Sequence, residues 1–331
     1  MKVLVIGAAG MVGRKLTERL AADGSVGGRA IEQLILHDVI EPLRPARTSI
    51  PTSVLASDFS APGAGAALVA AKPDLVFHLA AVVSGEAEDD FDKGYRVNLT
   101  GTWNLFEAIR ALNAESGGAY KPRVVFTSST GVFGAPYPDS IPDEFLPAPL
   151  TSYGVQKAVG ELLLSDYTRK GFLDGIGIRL PTICVRPGKP NRAASGFFSG
   201  IIREPLAGEV AILPVPRDVR HWHASPRSAV AFLLHAAILD GDRVGPRRTL
   251  SMPGVSCTVG EQIEALRRVA GDAVAARIRE VPDERIIGIV AGWPRRFDAR
   301  RATELGFRAE ADFEEIVRAH IEDELGGQVR G

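Results

Sequence analysis

A glycine-rich turn near the N-terminus restricts the fold more than any other feature of this sequence. The apolar run at residues 2–6 breaks at Gly7, and glycines recur at positions 10 and 13 before a helix-forming segment at residues 14–22. Glycine lets the backbone approach a ligand closely, and the N-terminus of the following helix offers free N–H groups to a phosphate. The order strand, turn, helix therefore predicts the first unit of a dinucleotide-binding sheet. The residues predicted to hold the diphosphate are Gly7, Gly10, Met11, Val12 and Gly13.

Short apolar runs alternate with helix-forming segments through the first 185 residues. The runs lie at 34–36, 53–56, 74–78, 124–126 and 175–183. The longest helical segments between them lie at about 88–112 and 152–170. This alternation is typical of a parallel sheet that is covered by helices on both faces. We therefore predict an α/β fold with a Rossmann-type, doubly wound parallel sheet.

Asp38 ends the second apolar run, at the sheet edge where open α/β sheets bind nucleotides. A carboxylate at this place accepts hydrogen bonds from both hydroxyls of an adenosine ribose and repels a 2′-phosphate. The residue therefore favours NAD over NADP. The interval from Gly7 to Asp38 exceeds the usual twenty or so residues, and an inserted loop at residues 25–30 accounts for the difference.

The regular alternation ends after Arg186, where prolines interrupt shorter elements. Further helix-forming segments lie at about 226–239, 258–270 and 311–325. We predict an NAD-binding Rossmann domain followed by a smaller C-terminal lobe that binds the substrate. The Rossmann domain is predicted to comprise residues 1–185 with returning segments at about 215–252, and the lobe residues 186–214 and 253–331.

The charge balance argues against nucleic acid and anionic membranes as partners. The 39 basic and 40 acidic residues leave a formal net charge of −1, which gives no electrostatic reason to bind either. We expect a small-molecule substrate instead. No apolar run approaches the roughly eighteen residues of a membrane span, and no secretory signal is recognisable, so we expect a cytoplasmic protein. Cys184 and Cys257 are expected to be buried free thiols.

Tyr153 and Lys157 are four residues apart in a helix-forming segment, which places a phenol and an ammonium on one helix face. A fixed ammonium nearby favours the phenolate and lowers the pKa of the tyrosine, which then takes a proton from an alcohol. Ser129 closes a strand at the same sheet edge, where its hydroxyl is placed to hold a substrate oxygen.

Two other groups of polar residues are candidates for ligand contacts. Arg186 and Arg220 are candidates for a bidentate contact with an anionic substrate. His221 and His223 are two residues apart, but no third ligand has matching spacing. We therefore expect no metal site.

Taken together, these residues resemble the extended branch of the short-chain dehydrogenase/reductase superfamily, the NAD-dependent epimerase/dehydratase family. The resemblance also includes HLAA at 78–81, VNLTGT at 97–102 and FTSSTGVFG at 126–134. It implies that Tyr153 is the general base or acid, that Lys157 lowers its pKa and holds the nicotinamide ribose, and that Ser129 orients the reacting hydroxyl. The further cofactor contacts it implies are Asp58, Leu79, Ala80, Ala81, Asn98, Pro181 and Thr182.

Departures from the family pattern narrow the substrate. Nucleotide-sugar epimerases of this branch read R-x-x-N-V-Y-G-P after the sixth strand, whereas Thr182 here replaces the asparagine and Phe133 replaces the tyrosine of a V-Y-G motif. Longer stretches, such as HLAAVVSGEAE, RLPTICVRPGKPN and PRDVRHWHASPR, are similar to the D-erythronate dehydrogenases. This resemblance implies NAD-dependent oxidation of the C2 hydroxyl of a four-carbon sugar acid. The candidates for substrate contacts are Ser84, Ser129, Thr130, Tyr153, Arg186 and Arg220.

Two other functions stay open at this point. The first is a nucleotide-sugar epimerase or dehydratase that retains its NAD, and the second is a module that senses NAD without catalysis. Members of the family pair through two long helices, which here are the segments at about 88–112 and 152–170. A homodimer is therefore expected.

Overall fold

The computed structural model of the chain describes residues 1–188 and 195–329. Residues 189–194 and 330–331, which fall within the predicted C-terminal lobe, lie outside the described residues. In chain order the strands are β1 (Lys2–Ile6), β2 (Ser25–Val26), β3 (Arg29–Ala30), β4 (Gln33–Asp38), β5 (Thr52–Ala56), β6 (Leu75–His78), β7 (Arg123–Ser129), β8 (Ile141–Pro142), β9 (Asp174–Leu180), β10 (Thr182–Ile183), β11 (Ala211–Leu213), β12 (Arg220–Ala224), β13 (Thr249–Ser251), β14 (Val255–Thr258), β15 (Ile278–Glu280) and β16 (Phe297–Asp298).

The helices connect these strands and cover the sheets. In chain order they are α1 (Met11–Asp23), α2 (Ala64–Val69), α3 (Ser84–Asp89), α4 (Phe91–Gly94), α5 (Thr102–Glu115), α6 (Ser152–Arg169), α7 (Gly196–Leu206), α8 (Pro226–Ile238), α9 (Gly241–Val244), α10 (Val259–Ala270), α11 (Asp272–Ala275), α12 (Glu284–Ala291), α13 (Arg300–Glu304) and α14 (Phe313–Leu325). A π-helical turn (Tyr95–Gly101) joins α4 to α5, and a 3-10 turn (Thr130–Val132) follows β7.

A seven-stranded parallel sheet dominates the described part of the chain, in the order β13-β9-β7-β6-β1-β4-β5. The strand order reverses between β1 and β6. Sheets of this kind bind ligands at the carboxyl ends of the strands beside that point. The predicted Rossmann-type fold is confirmed.

Strand β1 shows why the sheet is covered on both faces. Val3 and Val5 pack with residues of α1 and α8 on one face, whereas Leu4 and Ile6 pack with residues of α2 and α5 on the other. All four side chains are fully buried. An uninterrupted apolar strand is typical of this three-layer arrangement, because successive side chains point to opposite faces.

The rest of the described chain builds a second apolar core. Its sheet has the order β10-β12-β14, and Phe198 of α7, Ile263 of α10 and Ile316 of α14 share one buried cluster. The chain also returns to the central sheet, since β13 pairs with β9 and α8 packs against β7 and β9. Strand β12 lies in the segment predicted to return but pairs with β10 and β14. The predicted domain boundaries stay a proposal.

Three predicted elements differ from the structure for identifiable reasons. The run at 175–183 is not one strand: β9 ends at Leu180, and Thr182–Ile183 pair with β12 in the smaller sheet. Pro181 separates the two strands because proline has no N–H to donate. The helix expected at about 88–112 contains the π-helical turn, and the inserted loop at 25–30 is the hairpin β2-β3.

Two further observations concern the cysteines and membrane spans. Cys184 and Cys257 are buried free thiols, as expected. Within the part of the chain that the structure describes, no helix combines the length and the apolar character that crossing a membrane requires.

Candidate active site

The glycine turn follows β1 directly and is shaped by close backbone contacts. Gly7 has a φ of +94°, a conformation that favours glycine, and its N–H donates to the His37 carbonyl oxygen at 2.8 Å. A Cβ at Gly13 would lie 2.0 Å from the Gly7 carbonyl oxygen, so only glycine fits there. A Cβ at Gly10 would find its nearest neighbour, the Gly7 carbonyl oxygen, at 3.4 Å, and Gly10 lines a cavity. The turn therefore leaves space at Gly10 for a group that approaches the backbone and the N-terminus of α1.

This cavity measures about 480 Å³ and extends from the glycine turn to the start of α6. Its position at the carboxyl ends of β1, β6 and β7 is the one that the sheet topology requires. Most of the predicted site residues line it. They are Gly7, Gly10, Met11, Val12, Gly13, Leu79, Ala81, Ser84, Ser129, Thr130, Tyr153, Lys157, Pro181, Thr182 and Arg186.

Asp38 and Asp58 lie near the carboxyl ends of β4 and β5, outside the lining of the cavity. Asp38 accepts a hydrogen bond from the N–H of Ala9 at 2.9 Å, which ties the carboxylate to the glycine turn. Asp58 accepts hydrogen bonds from the hydroxyl and the N–H of Ser60, and these lower the pKa of its carboxyl group. Asp38 is thus placed next to the predicted diphosphate site, and the predicted adenine contact of Asp58 stays a proposal.

Two further predicted cofactor contacts, Ala80 and Asn98, are not on the wall of the cavity. Asn98 accepts from the N–H of Val82 at 2.7 Å and donates to the Val82 carbonyl oxygen at 3.0 Å. The π-helical turn brings residue 98 against the chain that leaves β6, and the amide nitrogen also donates to the Oε1 atom of Gln156 on α6 at 2.7 Å. Ala80 donates its N–H to the Ile6 carbonyl oxygen at 3.0 Å. Asn98 and Ala80 therefore shape the loop that carries Leu79 and Ala81 but do not line the cavity themselves.

The N-terminus of α6 is held tightly against the turn that follows β7. Thr151 caps the helix by accepting from the N–H of Gly154 at 3.1 Å. A Cβ at Gly154 would lie 2.2 Å from the Gly131 carbonyl oxygen, so the two segments approach as closely as backbones can. This contact brings Tyr153 of α6 next to Ser129 of β7, as the sequence predicts.

The environment of Tyr153 corrects one expectation. Desolvation in the cavity raises the pKa of Tyr153 above its ordinary value, while a hydrogen bond with Ser129 and the charge of Arg186 act in the opposite direction. The sequence predicts that Lys157 lowers this pKa, but in the structure burial outweighs the neighbouring charges. The Nζ atom of Lys157 lies 5.8 Å from the centroid of the tyrosine ring.

Lys157 is almost completely buried, with 3% of its surface exposed. Its Nζ atom donates to the Thr127 carbonyl oxygen at 2.8 Å and lies 4.9 Å from the centroid of the Phe126 ring. Burial lowers the pKa of Lys157 to about 8, although Glu161, one helical turn further on, raises it. The ammonium therefore stays charged at neutral pH, although burial disfavours the charged form.

Arg186 brings a cation to the end of the cavity that lies beside Tyr153. Its Nη2 atom donates to the Ser195 hydroxyl at 3.0 Å, and its Nε atom donates to the Ile183 carbonyl oxygen at 3.1 Å. Within residues 1–188 and 195–329, no carboxylate lies within 4.0 Å of this guanidinium. Its charge is felt at Tyr153, where it lowers the pKa of the phenol. The group is therefore placed to bind an anion in the cavity.

Arg220 does not reach the cavity. Its Nη1 atom donates to the Ser256 carbonyl oxygen at 2.9 Å, and its Nη2 atom lies 3.1 Å from a carboxylate oxygen of Glu261. Alternation along β12 explains the result, because Arg220 and His221 point to opposite faces of the strand and His221 lines the cavity. The prediction that Arg220 contacts the substrate is therefore not supported.

Several residues of the cavity wall were not singled out as site residues from the sequence. Trp293 and Pro294 belong to the segment between α12 and β16, and they line the cavity together with Tyr137, Ser195 and His221. The sequence signal nearest to this part of the wall is the pair of histidines at 221 and 223, whose spacing suggests metal ligands. Among the described residues, no group of three or more His, Cys, Asp or Glu side chains is arranged to hold a metal ion.

Comparison with known proteins agrees with this geometry. The family model of the NAD dependent epimerase/dehydratase family matches residues 3–228. The chain is 48% identical over 329 residues to D-erythronate dehydrogenase of Cupriavidus necator, covering 98% of each chain. It is 41% identical over 325 residues to D-erythronate dehydrogenase of Haemophilus influenzae, covering 98% of this chain and 100% of the relative.

A solved structure is similar over the whole chain. It is described as the nucleoside-diphosphate-sugar epimerase from Agrobacterium tumefaciens and is 64% identical, with a TM-score of 0.97. The similarity covers 100% of this chain and 96% of that one. The names of these similar proteins thus include both a dehydrogenase and an epimerase.

Proposed function

The chain belongs to the NAD dependent epimerase/dehydratase family, and from that premise we propose that it oxidises the C2 hydroxyl of a small sugar acid, D-erythronate, to 2-dehydro-D-erythronate. The protein is an NAD-dependent oxidoreductase that acts on CH–OH groups. Two relatives that match over nearly their whole length carry the name D-erythronate dehydrogenase, and this supports the proposed substrate.

The observation that carries the proposal is the position of Arg186 beside Tyr153 in one cavity. In a 2-hydroxy acid the reacting carbon is bonded directly to the carboxylate. A carboxylate bound at Arg186 therefore places the C2 hydroxyl, which is on the adjacent carbon, in the same cavity as the phenol of Tyr153. A phenol and a guanidinium in one cavity suit a small hydroxy acid, and the guanidinium supplies the charge-assisted hydrogen bonds that a carboxylate requires.

The proposed roles of the residues follow from their contacts. The phenolate form of Tyr153 takes the proton of the C2 hydroxyl, and Ser129 holds the oxygen of that hydroxyl through its own hydroxyl group. Lys157 remains protonated below its pKa of about 8 and holds the ribose next to the phenol. The glycine turn would hold NAD, and the cofactor would supply the acceptor for the hydride that leaves C2. Ser84 and Thr130, which also line the cavity, are proposed to contact the substrate.

Incubation of the purified protein with NAD and D-erythronate tests this function. We expect continuous production of NADH, measured by absorbance, and 2-dehydro-D-erythronate as the product, identified by mass spectrometry. The matched control replaces NAD by NADP, which Asp38 is expected to exclude. No NADH with any C3 to C6 sugar acid would contradict the proposal.

The name of the structure from Agrobacterium tumefaciens favours an epimerase as the second candidate function. Such an enzyme retains its NAD and releases no NADH. The same assay separates the two functions when it is repeated with nucleotide-diphosphate sugars. Bound cofactor that does not exchange, together with epimerisation of a nucleotide sugar, would support the second candidate, while binding of NAD without any turnover would indicate a sensing module.

We also propose a homodimer that forms through α5 and α6. Trp103 of α5 is 51% exposed and Leu162 of α6 is 70% exposed, so this face presents large apolar side chains to solvent. Light scattering after size-exclusion chromatography tests the proposal, with Leu162→Glu expected to give monomers.

A cytoplasmic location is proposed as well, because the buried thiols Cys184 and Cys257 suit a reducing compartment.

A further inference from the structure

The hydroxyl of Thr182 makes a hydrogen bond with a residue of the smaller sheet. Its Oγ1 atom lies 2.7 Å from Nε2 of His221, and both residues line the cavity. The other ring nitrogen, Nδ1, lies 2.9 Å from the Pro294 carbonyl oxygen. The three groups form a chain that ends in the cavity at Thr182.

The Pro294 carbonyl oxygen determines which atom is the donor in each hydrogen bond between these three groups. A carbonyl oxygen only accepts, so Nδ1 of His221 carries the hydrogen and donates to Pro294. In a neutral imidazole, Nε2 then has only its lone pair. The hydroxyl of Thr182 must therefore donate its hydrogen to His221, and the oxygen of Thr182 has only lone pairs left for the cavity.

The surroundings of His221 keep the ring neutral and in place. The side chain is buried, and burial lowers its pKa to about 4. The ring of Phe198 stacks on it with a centroid distance of 5.3 Å and an interplanar angle of 6°. The ring of Trp293 lies 5.2 Å from it. A ring that neither gains a proton near neutral pH nor rotates holds the Thr182 hydroxyl in one orientation.

Two polar groups of the cavity therefore have opposite roles in hydrogen bonding. Arg186 only donates hydrogen bonds, whereas the oxygen of Thr182, as His221 holds it, only accepts them. Thr182 belongs to β10 and its hydroxyl contacts β12, both strands of the smaller sheet and not of the sheet that carries the glycine turn. A ligand that spans the two groups therefore needs an anion at one end and a hydroxyl donor at the other.

We propose that His221 is a specificity-determining residue, because it makes Thr182 an acceptor that selects acids carrying a hydroxyl on C3 or C4. The inference rests on the proposed function and deepens it. Simple 2-hydroxy acids have the carboxylate and the reacting hydroxyl but offer no donor to Thr182. They leave its lone pairs without a partner, and a site built for a hydroxyl discriminates against analogues that lack it.

The first experiment compares D-erythronate with 2-hydroxybutyrate, which has the same chain length, carboxylate and C2 hydroxyl but no hydroxyl on C3 or C4. Thr182→Val removes the acceptor and keeps the shape of the side chain, and Thr182→Ser is the matched control that keeps the hydroxyl. For Thr182→Val we expect the ratio of the two kcat/KM values to fall by roughly tenfold or more. Thr182→Ser is expected to retain the ratio.

The second experiment tests His221 itself with two isosteric amides. The amide oxygen of His221→Gln reaches the place of Nε2 and accepts from Thr182, whereas the shorter side chain of His221→Asn reaches only the place of Nδ1. We expect His221→Gln to retain the preference for D-erythronate and His221→Asn to lose it mainly through KM for the acid. Combining His221→Asn with Thr182→Val should add no further loss, because both changes remove the same contact.

A third measurement does not depend on turnover. Nitrogen-15 NMR of histidine-labelled protein, with the signal assigned through His221→Gln, should show a neutral ring with the hydrogen on Nδ1. A hydrogen on Nε2 would overturn the inference whatever the substrate is.

The outcomes separate the inference from the proposed function. If the wild-type protein produces no NADH from any sugar acid, the proposed function fails and the substrate assigned to Thr182 fails with it. If D-erythronate is oxidised but Thr182→Val leaves the ratio unchanged, only the inference fails. A uniform loss on both acids together with a raised KM for NAD would show that Thr182 contacts the nicotinamide, and this also overturns the inference.

Discussion

Lys157 donates a hydrogen bond from Nζ to the Thr127 carbonyl oxygen at 2.8 Å, inside a site that leaves 3% of the lysine exposed. The contact fixes the ammonium below the ring of Tyr153 at the end of β7. It does not compensate for the loss of water, because burial lowers the pKa of the lysine to about 8. A charge held at the site for chemistry thus opposes the stability of the fold.

Replacing Lys157 by methionine should therefore stabilise the protein while abolishing its activity. A pKa of about 8 in the folded state, against an ordinary value of about 10.4, corresponds to roughly 3 kcal/mol at pH 7. Since part of this is offset by the lost hydrogen bond to Thr127, we expect Lys157→Met to raise the free energy of unfolding by about 1–3 kcal/mol. Urea unfolding at pH 7 measures this difference.

The pH dependence of the same difference gives a check on sign. Because the folded pKa lies below the unfolded one, the unfolded chain binds more protons between pH 8 and about 10.4. The wild type should therefore gain stability relative to Lys157→Met across this window, so that the advantage of the variant disappears. An advantage that stays constant from pH 7 to pH 10 would show that the lysine is not destabilised by burial.

Tyr153→Phe tests the proposed base. The change removes only the hydroxyl, so we expect kcat for D-erythronate to fall by about 10²–10⁴-fold while the dissociation constant for NAD changes by less than about threefold. Steady-state production of NADH and calorimetric titration with NAD measure the two quantities. Tyr120→Phe is the control, since the Tyr120 hydroxyl donates to the Pro73 carbonyl oxygen away from the cavity. Turnover of Tyr153→Phe within a few fold of the wild type would exclude the tyrosine as base.

Gly10→Ala and Gly13→Ala should fail in different ways. A Cβ at Gly13 would lie 2.0 Å from the Gly7 carbonyl oxygen, so Gly13→Ala forces backbone apart and is expected to unfold the N-terminal unit or lower its stability by several kcal/mol. A Cβ at Gly10 finds its nearest protein atom at 3.4 Å. Gly10→Ala should therefore fold, with a melting temperature close to that of the wild type, but weaken NAD binding by at least about tenfold. Equal NAD affinity in Gly10→Ala would place the diphosphate elsewhere.

The parts of the site that could be predicted from the sequence are those set by short stretches of backbone. A spacing of four residues places Tyr153 and Lys157 on one face of a helix in any tertiary context. A glycine turn between a strand and a helix fixes the direction of both backbones, and the structure has this turn between β1 and α1 at one end of the cavity. These features depend on a few residues that are close in sequence, and they do not depend on tertiary packing.

Other features depend on packing and were not predictable. Trp293 reaches the cavity from a segment without a motif, because α12 and β16 bring it there. The pKa of Tyr153 depends on how much water the cavity excludes. The spacing between Tyr153 and Lys157 does not show how deeply the phenol is buried. For Arg220 and His221, one position along β12 decides which of the two faces the cavity, and the sequence alone did not fix where that strand begins.

Arg186 and Arg220 form the natural pair for testing where the carboxylate binds. Arg186 lines the cavity and acts on the pKa of Tyr153, whereas Arg220 is paired with Glu261 outside it. Loss of a charge-assisted hydrogen bond costs about 1.5–3 kcal/mol, so Arg186→Gln should lower kcat/KM for D-erythronate by about 10- to 150-fold. The loss should appear in KM for the acid and not in KM for NAD, because the guanidinium acts on the pKa of Tyr153 and is proposed to bind the carboxylate of the acid. Arg220→Gln should leave kcat/KM within about twofold, since an exposed ion pair contributes little. The reverse result, with Arg220→Gln impaired and Arg186→Gln active, would require the acid to bind outside the cavity that contains Tyr153.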